Sequence, residues 1–346
     1  MPQEPASIED ARGPLSAPRW PLVTVNVLSF NRCVQLRRTL QTLLALDYPR
    51  DRLEVIVVDN ASADRSVEMV RTDFPHVRVI ERRKNGGIAG WNAGFAVGEG
   101  DFFLVLDDDC YIAGDALKRA VEAARAAGAD LTSFYVESLE PGHSFSEYSK
   151  TGLLSFWGCA ALISRRGIER LGGYDENIFI WAHELEFTMR LLDAGLRHLY
   201  LPQVLAVHQK VPTGFRLEMH QRNMRNFAYI SAKLLQPRDS LQALANLTLR
   251  VLMESAQRPE VLACLRDVWQ GARAGLVARH PIGPEVSRLY RRNCVEFVNH
   301  VRFVRGPIAR WRGRGNAPEL ELQRRRDSFY HSRPQLHPSQ QAVLEV

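Results

Sequence analysis

The stretch Phe102-Phe103-Leu104-Val105-Leu106-Asp107-Asp108-Asp109 decides the reading of this chain, because a short apolar run ends abruptly in three carboxylates. Such a run fits a strand buried on both faces. Alternate residues of a strand share a face, so Asp107 and Asp109 converge while Asp108 points elsewhere. Converging carboxylates repel unless a cation sits between them and another ligand. Oxygen donors suit Mg²⁺ or Mn²⁺, which are bound by one or two carboxylates together with substrate phosphates. Taken alone, the triplet reads equally as a solvated acidic turn capping the next helix.

Upstream the same grammar repeats. Pro21 to Phe30 reads as a buried strand, Gln35 to Leu46 as a helix with Leu36, Leu40, Leu43 and Leu44 on one face, and Leu53 to Val58 as a second strand ending at Asp59-Asn60. A helix near Ser66–Asp73, a strand over Val77–Arg82 and a helix near Ala89–Val97 follow. Alternation of strand and helix predicts an α/β fold with a Rossmann-like, mostly parallel sheet flanked by helices, its ligand crevice beyond the carboxyl ends of the strands. Ser29-Phe30-Asn31, Asp59-Asn60 and the aspartate triplet each stand at such an end. The spacing predicts a flexible leader over 1–20, one domain over 21–236, a helical extension over 237–305 interrupted by Pro281 and Pro284, and an irregular Arg/Pro-rich tail over 306–346.

With 45% hydrophobic and 24% charged residues in 346, the chain can bury a full core, which excludes disorder as its main state. Five scattered cysteines without a Cys-x-x-Cys pair indicate neither a disulfide framework nor a zinc site. The net charge of +6 belongs to the C-terminal part: residues 237–346 hold 18 arginines and no lysine against 10 acidic residues. That surplus fits a solvated helical face, or peripheral contact with an anionic membrane, an acidic partner or nucleic acid, while the C-terminal helices separately offer a homodimer surface. Of these, nucleic acid is not an expected partner. No apolar run reaches membrane-spanning length, and Glu4, Glu9 and Asp10 stand where a signal peptide has basic residues, so a cytoplasmic address is expected, with the inner membrane face as a peripheral site.

Over roughly residues 21–235 the chain resembles the inverting family 2 glycosyltransferases of the GT-A fold, similar to bacterial rhamnosyltransferase-like members. The resemblance rests on ordered motifs: Val23-Thr24-Val25-Asn26-Val27-Leu28-Ser29-Phe30-Asn31-Arg32, Val55-Ile56-Val57-Val58-Asp59-Asn60, Asn85-Gly86-Gly87-Ile88-Ala89-Gly90-Trp91-Asn92-Ala93-Gly94, and Leu106-Asp107-Asp108-Asp109. It implies a GT-A fold with a C-terminal helical extension and a nucleoside diphosphate sugar as donor. Ser29, Asn31, Asp59 and Asn60 would hold base and ribose, Asp107 to Asp109 the nucleotide sugar and, through Asp107 and Asp109, the metal. The resemblance also implies Asn92 near the sugar diphosphate, Trp157 against a sugar ring, His208 as a further metal or diphosphate ligand, and Arg222 offsetting diphosphate charge.

Displacement at an anomeric carbon needs a group that accepts the acceptor's proton. The segment Gly172-Gly173-Tyr174-Asp175-Glu176 leading to His183-Glu184-Leu185-Glu186 resembles the family's turn before an acidic helix start, and aligns Glu184 with its usual catalytic aspartate. His183, with an ordinary pKa of about 6.5, is a rival base. Glu184 is favoured because a carboxylate at a helix N-terminus stays ionised. Glu186 falls on another side of the helix and suits a supporting contact. The expected activity is metal-dependent, inverting transfer of a sugar to a hydroxyl of a glycan, lipid-linked or small-molecule acceptor. A non-catalytic nucleotide-sugar-binding or scaffold protein is the alternative.

Overall fold

A computed structural model of the protein describes residues 20–112, 114–138, 154–209 and 216–294. Its centre is an eight-stranded sheet ordered β3-β2-β1-β4-β7-β6-β8-β5. The strands are β1 (Val23–Ser29), β2 (Leu53–Asp59), β3 (Arg78–Glu81), β4 (Phe102–Asp107), β5 (Cys110–Ile112), β6 (Leu131–Ser138), β7 (Ala160–Ser164) and β8 (His198–His208). On the first side β1, β2, β3 and β4 run parallel, as the sequence predicts. Beyond β4 the sheet is mixed: β7 is antiparallel to β4 and β6, β8 is parallel to β6, and β5 is antiparallel to β8. Strands buried on both faces are apolar throughout in either direction, so their composition does not announce the reversal.

Registers decide where the chemistry sits. Ser29 stands opposite Asp59 and Leu28 opposite Asp107, so three strand ends separated widely in sequence lie side by side. Cys110 pairs with His208, which brings the end of β8 beside the aspartate triplet.

Period-two alternation in β4 feeds both faces. Leu104 and Leu106 join a cluster under α1 (Cys33–Leu44) and α4 (Ala116–Ala127), while Phe103 and Val105 pack with Trp91, Phe95, Phe156 and Phe187 on the other face. Each such fully buried Leu or Phe contributes about 1.5–3 kcal/mol. α1 buries Leu36, Leu40 and Leu43, the stripe its sequence predicts, while Leu44 is 44% exposed. Helices α2 (Ser66–Asp73), α3 (Trp91–Val97), α5 (Arg165–Leu171) and α6 (His183–Asp193) complete the layers.

The C-terminal part is helical: α7 (Leu217–Leu234), α8 (Pro237–Ser255), α9 (Cys264–Val277) and α10 (Pro284–Asn293) share one apolar cluster with Leu185 and Met189 of α6. Pro284 opens α10 at its first turn, where a missing N–H costs nothing. α9 approaches α7 closely because Gly271 and Gly275 lie against the backbone carbonyls of Arg225 and Tyr229, where a Cβ would collide. Among the described residues no helix is long and apolar enough to cross a membrane. Residues 1–19 of the expected 1–20 leader, residues 295–305 of the expected extension and the whole Arg/Pro-rich tail over 306–346 lie outside the described residues.

Candidate active site

The acidic triplet and His208 form one cluster. Ligand atoms of Asp107, Asp109 and His208 all lie within 4.8 Å of one another. His208 Nε2 is 3.1 Å from Asp109 Oδ1 and 3.9 Å from Asp107 Oδ2. The Gln209 amide donates to the Asp109 carbonyl at 2.7 Å, so β-pairing carries on to the turn and fixes His208 against it. Asp108 turns the other way: its Oδ2 accepts from the Phe30 amide at 3.0 Å and its Oδ1 from Arg32 at 3.0 Å.

Electrostatics follow from this crowding. Asp107 is pushed up to about 7, first by loss of water around its carboxyl and then by Asp109. Burial pushes Asp108 up to about 6 against the opposing pull of Arg32. Two carboxylates and an imidazole this close fit a hard divalent cation, whose charge relieves the repulsion and whose binding releases protons.

Glu184 lies in the first turn of α6, where the helix N-terminus favours negative charge. Its Oε1 accepts from the Gly158 amide at 3.2 Å and its Oε2 stands 3.2 Å from His183 Nδ1. His183 is buried, and burial lowers its pKa below the ordinary value although Glu184 and Glu186 oppose the shift. The residues entering α6 are strained: Trp181 and Ala182 have φ of 63° and 60°, a region L-residues seldom occupy. Asn226 Nδ2 holds this turn by donating to the carbonyls of Ile180 and Trp181 at 2.8 and 3.0 Å.

A cleft of about 700 Å³ joins these parts. Ser29, Asn60, Asp107, Asp108, Trp157, Glu184 and His208 all line it. Asn60 does so as a brace: its Oδ1 accepts from Arg82 and the Gly86 amide, and its Nδ2 donates to the Gly87 carbonyl. Asp59 is buried just behind Asn60, with Oδ2 accepting from the Ser62 amide and Oδ1 lacking a hydrogen-bond partner. Asn31, at φ 53°, accepts from the Ala63 amide through Oδ1 and is not among the lining residues.

Two expected contacts fall elsewhere. Asn92 uses both ends of its amide on the Tyr174 backbone, donating to its carbonyl and accepting from its amide at 2.9 Å each, so it clamps the Gly173 turn and does not face the cleft. Arg222 is paired with Glu218 one helical turn away and stacks over Phe179 at 5.3 Å, outside the cleft lining. Asn223, beside it, does line the cleft.

Glu186 is fully buried as a supporting residue, bound to Arg190 and to Lys233, which also reaches Asp175. Sequence reasoning missed Arg32, whose guanidinium bridges Asp108 and Asp109, as well as Phe179, Trp181 and Met219 along the cleft. Arg32 carried a signal, since it directly follows the strand-end motif.

With this geometry in view, the likenesses to known proteins fall into place. Residues 24–171 match the family described as Glycosyl transferase family 2. Glycosyltransferase AglE of Haloferax volcanii is 26% identical over 217 residues, covering 58% of this chain and 71% of that protein. The beta-monoglucosyldiacylglycerol synthase of Synechocystis is 25% identical over 293 residues, covering 75% of this chain and 60% of that protein. The mannosyltransferase PcManGT from Pyrobaculum calidifontis, solved in complex with GDP-Man and Mn²⁺, superposes with a TM-score of 0.54 at 24% identity, covering 80% of this chain and 89% of that one. Staphylococcus aureus TarS 1-349 with UDP gives 0.54 at 20% identity, covering 78% and 91%. The fold is therefore GT-A, and residues 24–171 carry the sequence pattern of the Glycosyl transferase family 2 model.

Proposed function

We propose that the chain transfers a glycosyl group, of hexosyl or rhamnosyl type, from a nucleoside diphosphate sugar to an acceptor hydroxyl with inversion. The observation that carries this reading is the convergence of Asp107, Asp109 and His208 within 4.8 Å of one another, with Asp107 and His208 lining the same cleft as Glu184. Glu184 accepts the proton of the acceptor hydroxyl. The acceptor's hydroxyl oxygen then attacks the anomeric carbon from the face opposite the diphosphate, the bond from that carbon to the diphosphate breaks, and the nucleoside diphosphate leaves with the electron pair. Asp107, Asp109 and His208 would hold Mg²⁺ or Mn²⁺, which when bound offsets the charge of the departing diphosphate. Ser29, Asn60 and Asp59 are assigned to the base and ribose. Asp59 offers a buried carboxylate oxygen without a partner, suited to an N–H of the base.

The setting proposed for this activity is the cytoplasm, including the inner membrane face. The test is incubation of the full chain with a panel of nucleoside diphosphate sugars and Mn²⁺, reading thermal stabilisation and release of nucleoside diphosphate. Stabilisation by one donor together with slow, metal-dependent hydrolysis supports the enzyme. Binding without hydrolysis at any acceptor concentration would favour a nucleotide-sugar-binding protein instead.

A further inference from the structure

One wall of the cleft has a chemical character of its own. Where the 178–182 turn and α7 face it, the described lining is Phe179, Ile180, Trp181, Met219 and Phe227, with Arg216 and Asn223 as the polar members from these two segments. Phe179 is 40% exposed, although a large apolar side chain left open to water carries a free-energy cost that a free surface rarely repeats in clusters.

This wall is built, not incidental. The Phe179 carbonyl accepts from the Ile88 amide at 2.9 Å, which ties the turn to the glycine loop on the donor side. Asn226 ties the same turn to α7 through the carbonyls of Ile180 and Trp181. Arg222 buttresses the Phe179 ring from the helix surface. Between these anchors Trp181 and Ala182 both adopt positive φ, a strain of about 1–3 kcal/mol each that persists only where surrounding contacts impose it. What the strained turn achieves is an apolar, aromatic surface directly beside Glu184, two residues further along the chain.

We propose that the acceptor presents its hydroxyl on an apolar carrier, and that Phe179, Trp181, Met219 and Phe227 bind that carrier while Glu184 meets the hydroxyl. This rests on the reading of Glu184 as the base, and it specifies the acceptor class that reading leaves open. A bare glycan carries hydroxyls around every ring and needs a polar partner for most of them, whereas this wall of the cleft is mainly hydrocarbon. Aromatic rings and a methionine give a surface that suits flat or acyl bodies of varied shape.

The experiment is calorimetric binding to the full chain of 4-nitrophenyl β-glucoside, glucose and cellotriose, in the presence of Mn²⁺ and the nucleoside diphosphate that stabilises it most. The aryl glucoside is expected to bind at least tenfold more tightly than glucose. That preference should disappear in Met219→Asp and weaken in Phe179→Ser, the latter at an exposed position where folding, checked by thermal melting, is not at stake. Equal affinity for aryl glucoside and glucose overturns the proposal, as does tighter binding of cellotriose than of the aryl glucoside, or an aryl preference that survives both substitutions. Failure of the sugar-transfer reading is read separately, as an absence of donor hydrolysis, and leaves this binding comparison intact.

Discussion

Glu184 Oε2 lies 3.2 Å from Nδ1 of His183, and both residues line the cleft, but burial lowers the His183 pKa below its ordinary value. Burial that disfavours the imidazolium also disfavours proton uptake by His183, which leaves the acceptor's proton to Glu184 in this reading. Glu184→Gln is therefore expected to lower turnover by about 10²–10⁴-fold with donor affinity retained. His183→Gln should cost less than about tenfold, since the proposed base is Glu184. Initial rates and donor binding for both variants decide the matter; a dead His183→Gln beside an active Glu184→Gln moves the base by one residue.

Asp109 is the member of the candidate metal cluster in closest contact with His208. Asp109→Asn leaves the shape almost unchanged but removes one charge, so it should abolish Mn²⁺-stimulated release of nucleoside diphosphate and weaken Mn²⁺ binding measured by paramagnetic resonance. Unaltered metal binding in this variant would remove Asp109 from the ligand set.

Arg32 sets up a competition for the same oxygens. Its guanidinium bridges Asp108 and Asp109 and so partly neutralises the cluster. A divalent ion on Asp109 has to share or displace that interaction. Arg32→Gln is expected to tighten Mn²⁺ binding about 3–10-fold in the absence of nucleotide, a difference of about 1 kcal/mol, which is modest because the arginine is partly exposed. Weaker Mn²⁺ binding in the variant would show that Arg32 supports the ion instead of opposing it.

The parallel strands and the ends of β1, β2 and β4 were legible because runs of buried β-branched and aliphatic residues stop at polar residues, and parallel registers then line those stops up. The α1 stripe was legible for the same reason of periodicity. What could not be read was any contact made by a polar side chain to a distant backbone. Asn92 sits in a motif that resembles a donor loop, but its amide is taken by Tyr174, 82 residues away, and no local pattern announces such a pairing. Arg222 resembled a phosphate contact, yet a glutamate four residues earlier captures it on the helix surface. The mixed half of the sheet stayed hidden because strand direction leaves no mark in a fully buried run.

Lys233 is the hinge of a buried charge network, with Nζ 2.6 Å from Asp175 and 2.8 Å from Glu186. Burial alone would raise the Asp175 pKa, but hydrogen bonds from Lys233 and Tyr229 outweigh it and hold the carboxyl at about 2. A depressed carboxyl contributes stability above its unfolded pKa of about 3.9 and loses that contribution as pH falls through the folded value. Lys233→Met should destabilise the chain by about 3–5 kcal/mol near neutral pH, because Asp175 loses its cationic partner and Glu186 keeps only Arg190. It should also flatten the loss of stability between pH 4 and 2, as followed by urea unfolding. A variant as stable as the parent at pH 7 would mean that solvent or Arg190 already satisfies both acids.

Gly87 couples the glycine loop to the Phe179 turn. It has φ of 63°, and a Cβ placed there would fall on the carbonyl oxygen of Phe179, a backbone atom that cannot swing aside. Gly87→Ala must therefore push apart the two segments that the Ile88 to Phe179 hydrogen bond joins. Because Phe179 belongs to the same turn as Trp181 and leads into the helix bearing Glu184, the displacement reaches the base as well as the loop. The expected result is a fall of about tenfold or more in kcat/KM for transfer, since misplacement by an ångström is enough to cost up to about 10²-fold. A loss confined to stability, with kcat/KM intact in the surviving folded fraction, would show that the two segments are joined for packing alone.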